Sequence, residues 1–395
     1  MIRGLLPGIR VLELDQGISG PYCGKLFAQM GAEVIKVEPI EGDYSRGMGP
    51  FPNDIPHPEK SGLYLALNCN KFGVTIDLST TSGIQQLMDI IPTVDIMIAN
   101  FLPDSMIGLD PDSIRDCNPE IILTSITPFG NWGPYAEYKS SDLILYHMSS
   151  HAHGLLGPVD QPNSDPPIRA GGHQSDFVAG MAAATASMMA LYRKLVTKHG
   201  CHIEISSYES MVTQLISGLA NCSYGKPAPP RSLSALQEAA TGGMVAAIGG
   251  ILPCNDGYVA ISPREQTQWE RWVDILGNPQ WSDEKRFKTR EDREANSPEL
   301  WELMSNWSRN HSKNDIANWG QQKRIPCFPV NTVLDLFNNT HLKERGFFME
   351  LNHPIAGVYN YPGAPYNLSN CPLPLDARPA PVLGEHNQLL LKPAN

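Results

Sequence analysis

Residues 166 to 180 of this chain read Pro-Pro-Ile-Arg-Ala-Gly-Gly-His-Gln-Ser-Asp-Phe-Val-Ala-Gly, and the carboxylate of Asp176 is the first candidate for chemistry. Two prolines stiffen the approach to it and two glycines free it. Behind it, Phe177 to Leu195 is rich in Ala, Met and Leu, which predicts a helix. Asp176 then stands at a helix N-terminus, where orphan amide N–H groups and the helix dipole favour the ionised form. An ionised carboxylate in a partly closed, glycine-lined site can serve as a covalent nucleophile. Asp at a helix start is most often a cap. The rest of the chain must decide whether this one does more.

The elements that position Asp176 alternate in type. Strands are predicted at Ile9–Glu13, Glu33–Val37, Val74–Leu78, Val94–Ala99 and Ile121–Ile126. Helices are predicted between them at Gly20–Met30, Gly83–Ile91 and Pro111–Cys117. A strand at His202–Ser206 and a helix at Tyr208–Leu219 follow the Asp176 helix. Such alternation implies βαβ units, a parallel sheet and an α/β fold class, with right-handed crossovers. The first strand runs into Gly17-Ile18-Ser19-Gly20-Pro21-Tyr22-Cys23-Gly24. That is G-x-x-G, not a dinucleotide fingerprint. Glycines at a strand's carboxyl end still mark where α/β sheets take ligands.

Texture changes near residue 222, where Pro227, Pro229 and Pro230 precede the pairs Gly242-Gly243 and Gly249-Gly250. Residues 1–221 are therefore expected to begin a large domain, 222–330 to form a smaller α+β domain with linkers, and 331–395 to return to the large one. Within the small domain a strand is predicted at Gly257–Ile261 and helices at 266–276, 298–307 and 314–323.

Composition narrows the function. The 395 residues are 42% hydrophobic, ample for a core, and carry a net charge of −11 with no Lys/Arg block, which argues against a nucleic-acid surface. An acidic chain must bind an anionic ligand through amides, helix N-termini and a few cations. The eight cysteines are scattered without C-x-x-C or zinc spacing, which suits reduced thiols in a cytoplasmic protein. No apolar run reaches membrane-spanning length, and the first residues are too broken for a signal peptide. His151 and His153 form an H-x-H pair without a third ligand at metal spacing, so no metal is expected.

The motifs in order resemble family III CoA-transferases, the group that includes formyl-CoA:oxalate and carnitine CoA-transferases and, as relatives, α-methylacyl-CoA racemases. The resemblance rests on Leu6-Pro7-Gly8-Ile9-Arg10-Val11-Leu12-Glu13-Leu14, Gly20-Pro21-Tyr22 and Gly31-Ala32-Glu33-Val34-Ile35-Lys36-Val37-Glu38-Pro39. It continues through Gly42-Asp43 with Arg46, Asn68-Cys69-Asn70-Lys71, Asn100-Phe101-Leu102-Pro103, the Asp176 run, Ile325-Pro326-Cys327 and Leu383-Gly384-Glu385-His386.

The resemblance implies a Rossmann-like large domain built from both chain ends, a small inserted domain and a homodimer of interlocked chains. It implies that Asp176 forms an acyl anhydride while CoA moves from an acyl-CoA to a free carboxylic acid, with no tightly bound cofactor. It places Ile18 and Ser19 at the ligand turn. Ile76, Asp77, Leu78 and Ser79 fall on the adenine side, and Asn100, Phe101 and Leu102 on the ribose-phosphate side. The family's following Arg is absent, since Met106-Ile107-Gly108-Leu109 stands there. Arg46, Lys71 or Lys139 would then meet the CoA phosphates. Asp142 matches an active-site acidic position. Ser141 stands where the racemases carry a His, which points to transfer rather than α-proton exchange. Met48 replaces a Trp found in one branch, so a larger or more flexible apolar acid than oxalate is expected. Gly242 and Gly243 are candidates for the loop that excludes water, although they lack the family's run of four glycines.

Overall fold

A computed structural model describes residues 4–99, 110–154, 165–227, 250–263, 265–369 and 377–391. Contacts divide the chain into two compact units. The first comprises Met1–Ala152, Arg169–Leu215 and His341–Asn395, and the second His153–Ile168 and Ile216–Thr340.

The first unit is built on a six-stranded sheet. Its strands are β1 (Arg10–Glu13), β2 (Glu33–Glu38), β3 (Phe72–Thr75), β4 (Ile96–Ala99), β5 (Ile122–Thr127) and β6 (Cys201–Ser206). Their spatial order is β3-β2-β1-β4-β5-β6, and every pairing is parallel. The order reverses between β1 and β4, the crevice where doubly wound sheets bind ligands. The helices are α1 (Ser19–Gln29), α2 (Gly62–Asn68), α3 (Thr81–Ile90), α4 (Pro111–Cys117), α5 (Asp142–Met148), α6 (His151–Gly154), α7 (Gln174–Thr197) and α8 (Ser207–Val212).

Alternation along β1 sends neighbours to opposite faces. Leu12 joins Ile35, Val74, Leu87 and Ile114 in one buried cluster, under α3 and α4. Val11 joins Phe27, Val34, Ile98, Ala179 and Ala183 in another, under α1 and α7. Both faces are covered, so central strands such as β4 are buried at every position. The segment 377–391 returns to the β3 edge, where His386 donates its amide to Gly73 at 2.9 Å and Asn387 accepts the Thr75 amide at 2.9 Å.

Three of the departures from the sequence expectation have a local cause. The third strand lies at Phe72–Thr75 instead of 74–78. Asp77 ends it by accepting the amide and hydroxyl of Ser79, a side-chain turn that competes with the ladder. The Asp176 helix begins at Gln174, three residues early, because Asp142 binds the Ser175 amide and pins the first turn. The helix expected over 208–219 is interrupted by a 3₁₀ turn at Thr213–Leu215, where the Thr213 hydroxyl bonds back to the Ser210 carbonyl.

In the second unit, strands Gly250–Cys254, Gly257–Ile261 and Cys327–Pro329 form an antiparallel sheet. Its core gathers Trp269, Trp272, Phe287, Leu300 and Ile316 from the sheet's helical cover.

Candidate active site

Asp176 occupies the first turn of α7 and meets the turn that follows β1. Its Oδ1 accepts the Ser19 hydroxyl at 3.3 Å, and its Oδ2 lies 3.5 Å from His173 Nδ1. The approach of α1 to α7 depends on Gly180, because a Cβ there would stand 2.5 Å from the Ser19 carbonyl oxygen. One residue row away, Tyr22 and Phe177 pack edge to face with ring centroids 4.8 Å apart.

Asp142, at the start of α5, holds this turn from the other side. Its Oδ1 accepts both the amide and the hydroxyl of Ser175 at 2.8 Å, and its Oδ2 takes Arg169 Nη1 at 3.1 Å. Asp142 is buried, whereas the Arg169 side chain is 40% exposed. The carboxyl of Asp176 titrates above the ordinary Asp range, through burial first and the charge of Asp142 second. His173 and Ser19 pull it back only in part. This corrects the expectation that the helix N-terminus would favour the ionised form: a half-buried carboxylate beside a like charge pays a desolvation cost that the dipole does not cancel.

The floor of the site is a buried ion network. Glu13 accepts Lys36 at 3.1 Å and Lys71 at 2.7 Å, and Lys36 reaches Asp43 at 2.7 Å. Asp43 also accepts the Gly17 amide at 3.0 Å, which ties the network to the ligand turn. Gly17 has φ +82°, and a Cβ on it would fall 1.8 Å from the Tyr44 hydroxyl. Tyr44 itself is largely exposed, and its phenol is pushed up to about 12 by burial of the hydroxyl and by the charges of Asp15, Asp43 and Asp176. Asp15 accepts the Gln16 and Gly20 amides, and burial raises its carboxyl to about 7.

Two cations expected at the CoA phosphates are interior groups instead. Lys71 is 1% exposed, and its three protons go to Glu13, the Pro21 carbonyl and Asn68. Arg46 is 2% exposed, forked onto Glu38 and bonded to Glu59 and Tyr64, with its guanidinium 3.8 Å from the Tyr64 ring centroid. Neither keeps a donor for a phosphate. Lys139 is exposed and has no charged partner among the described residues.

Ile18 is buried at the N-cap of α1, beside Ser19. Ile76 is 2% exposed and belongs to the core, so it offers no surface to adenine. Leu78 packs partly against that core, while Asp77 and Ser79 are exposed at the carboxyl end of β3. Ser141 is the exposed N-cap of α5 and makes no side-chain cap bond. Met48 is half-buried, and its carbonyl accepts the Ser61 hydroxyl. Asn100, Phe101, Leu102, Gly242 and Gly243 lie outside the described residues. His147 and His151 bond to Leu143, Ser149 and Gln214 and do not converge on Asp176. No group of three or more metal-ligating side chains occurs among the described residues, and no described helix is long and apolar enough to cross a membrane.

His173, Asp15, Tyr44 and Arg169 were not singled out by sequence. For His173 a signal existed: an H-x-x-D spacing at a helix start brings the two side chains to one face. The others meet through long-range folding, and nothing local marks them.

A doubly wound parallel sheet, with a half-buried carboxylate held on the segment that follows β1, is the arrangement of an α/β ligand-binding protein. Comparison with known proteins narrows the class. Residues 6–387 match the family described as CoA-transferase family III. A succinate–glutarate CoA-transferase of Agrobacterium fabrum is 31% identical, over 98% of this chain and 94% of that protein. A formyl-CoA:oxalate CoA-transferase of Streptomyces avermitilis is 29% identical, over 97% of this chain and 93% of its own length. Among solved structures, a CAIB/BAIF family protein from Brucella suis superimposes with a TM-score of 0.85 at 28% identity, covering 97% of each chain. The chain belongs to the CoA-transferase family III, whose members are enzymes that take CoA thioesters as substrates.

Proposed function

We propose that this enzyme transfers CoA from an acyl-CoA to a free carboxylic acid through an anhydride on Asp176. The Asp176 carboxylate attacks the thioester carbonyl, the C–S bond breaks, and CoA leaves as the thiolate. The thiolate then attacks the aspartyl carbonyl of the anhydride, releasing the donor acid as its carboxylate and leaving an aspartyl-CoA thioester. The acceptor carboxylate displaces CoA from that thioester to give a second anhydride. Attack of the thiolate on the acceptor's acyl carbon yields the new acyl-CoA and restores Asp176. Covalent relay splits a difficult exchange into easier steps, and water must be shut out because anhydrides hydrolyse. We assign that exclusion to the Gly242-Gly243 stretch, the adenosine end of CoA to residues 77–79 and 100–102, and phosphate contact to Lys139.

The observation that carries this reading is the half-buried Asp176 carboxylate, held by Ser19 and His173 at the carboxyl edge of the sheet. Succinate, glutarate and oxalate in the relatives' names are dicarboxylic, beside a formyl group as CoA donor in one of them. We infer an acceptor of that class, with Met48 suited to a methylene chain. Two chains are proposed to interlock as a homodimer in the cytoplasm.

Hydroxylamine added during turnover should convert Asp176 to its hydroxamate, detected by peptide mass. An active preparation whose Asp176 stays unmodified would refute the covalent reading. Asp176→Asn should lose transfer while keeping its melting temperature within a few degrees.

A further inference from the structure

Arg169 is held on one edge and open on the other. Its Nη1 donates to Asp142 Oδ2 at 3.1 Å, and Asp142 is its only partner among the described residues. The same carboxylate grips the amide and hydroxyl of Ser175, the neighbour of Asp176, so the guanidinium stands one carboxylate away from the nucleophile's turn. A guanidinium has five donors in a planar fork. With Nη1 committed, its Nη2 and Nε remain for a second planar partner, and the Asp142 bond holds the plane.

A partner of that shape is needed. An acid arriving here meets Asp142 and Asp176 together, in a chain whose net charge is −11. A dicarboxylic acid brings two more charges, one to react and one to be neutralised elsewhere. Of the other cations near the site, Lys36, Arg46 and Lys71 are each 2% exposed or less and engaged in the ion network. We propose that Arg169 binds the non-reacting carboxylate of a dicarboxylic acceptor and sets the preference for two carboxylates over one. This rests on the transfer reading above.

The wild-type enzyme tests it directly. Phenylglyoxal labels accessible arginines, and the modified peptides can be mapped. Glutarate should slow labelling of Arg169 by about tenfold, while valerate, of equal chain length, should not. Equal labelling of Arg169 with and without glutarate would overturn the proposal. Variants give the second readout. Arg169→Gln should raise the glutarate KM by about tenfold or more and collapse the glutarate-over-valerate preference, with Arg169→Lys recovering part of it. A purely structural role would depress both acceptors alike and leave their ratio within threefold of wild type, which would also count against the assignment. Hydroxamate formation at Asp176 is scored separately from acyl-CoA alone. Its absence sinks the anhydride reading, while glutarate protection still decides for or against Arg169.

Discussion

One carboxylate oxygen of Asp142 accepts both the amide and the hydroxyl of Ser175, each at 2.8 Å, one residue ahead of Asp176. Asp142 and the proposed nucleophile are thus neighbours of like charge, and the carboxylate that shapes the turn also raises the Asp176 carboxyl.

That coupling has a measurable sign. In the anhydride reading proposed above, transfer needs ionised Asp176, so kcat/KM should fall as pH drops through its raised pKa. Asp142→Asn keeps an oxygen for Ser175 but removes the negative charge. The Asp176 carboxyl then ionises at lower pH, and the acid limb of the profile should move down. An acid limb that stays in place would separate Asp142 from the electrostatics of Asp176.

Gly180→Ala tests the close approach of α1 and α7. The new methyl would meet the Ser19 carbonyl at 2.5 Å and Tyr22 at 3.1 Å, and backbone has to give way. Overpacking of this kind costs about 1–3 kcal/mol, seen as a lower denaturation midpoint. Because Ser19 is the residue displaced, the yield of Asp176 hydroxamate should fall in step. Full stability and full labelling would mean the helices separate without strain.

Lysines at 71 and 139 should fail in opposite ways. Lys71→Met leaves Glu13 short of a buried partner and should destabilise by roughly 3–5 kcal/mol, with the KM for acyl-CoA unchanged in whatever folds. Lys139→Ala should leave the melting temperature alone and raise that KM severalfold, most at low salt. The reverse pattern would return Lys71 to the ligand.

Much of this architecture was legible in sequence because its signals are local. Short apolar runs such as Val94–Ala99, bounded by turns, reveal buried parallel strands, and the Ala, Met and Leu residues of 177–195 reveal a helix. The placement of Asp176 in a first turn was readable for the same reason. What stayed hidden is long-range. Arg46 and Lys71 look like surface cations in a linear reading, yet Glu38 and Glu59, or Glu13, receive them from other elements. Arg169 looks like one residue of a loop until Asp142, 27 positions earlier, is found against it. A charge's burial depends on which distant carboxylate the fold supplies, and periodicity carries no record of that.

Asp15 offers the last test. Its carboxyl rises from 3.8 to about 7 because burial penalises the charge, against the Gln16 amide and Lys36. Below pH 3.8 it is neutral in both folded and unfolded chains and affects stability little. As pH rises, the unfolded chain releases the proton first, so stability is lost between about pH 4 and 7 and the loss is complete above that window. Asp15→Asn removes this titration. Asn also turns one acceptor into a donor facing the Gln16 or Gly20 amide, a penalty that does not change with pH. The stability of the variant relative to wild type should therefore be more favourable at pH 8 than at pH 4.5, by on the order of 2 kcal/mol. Urea unfolding of both proteins at the two pH values measures the difference. A gap that is equal at both, or that opens at pH 4.5, would mean that Asp15 is ionised throughout and that Lys36 dominates its surroundings.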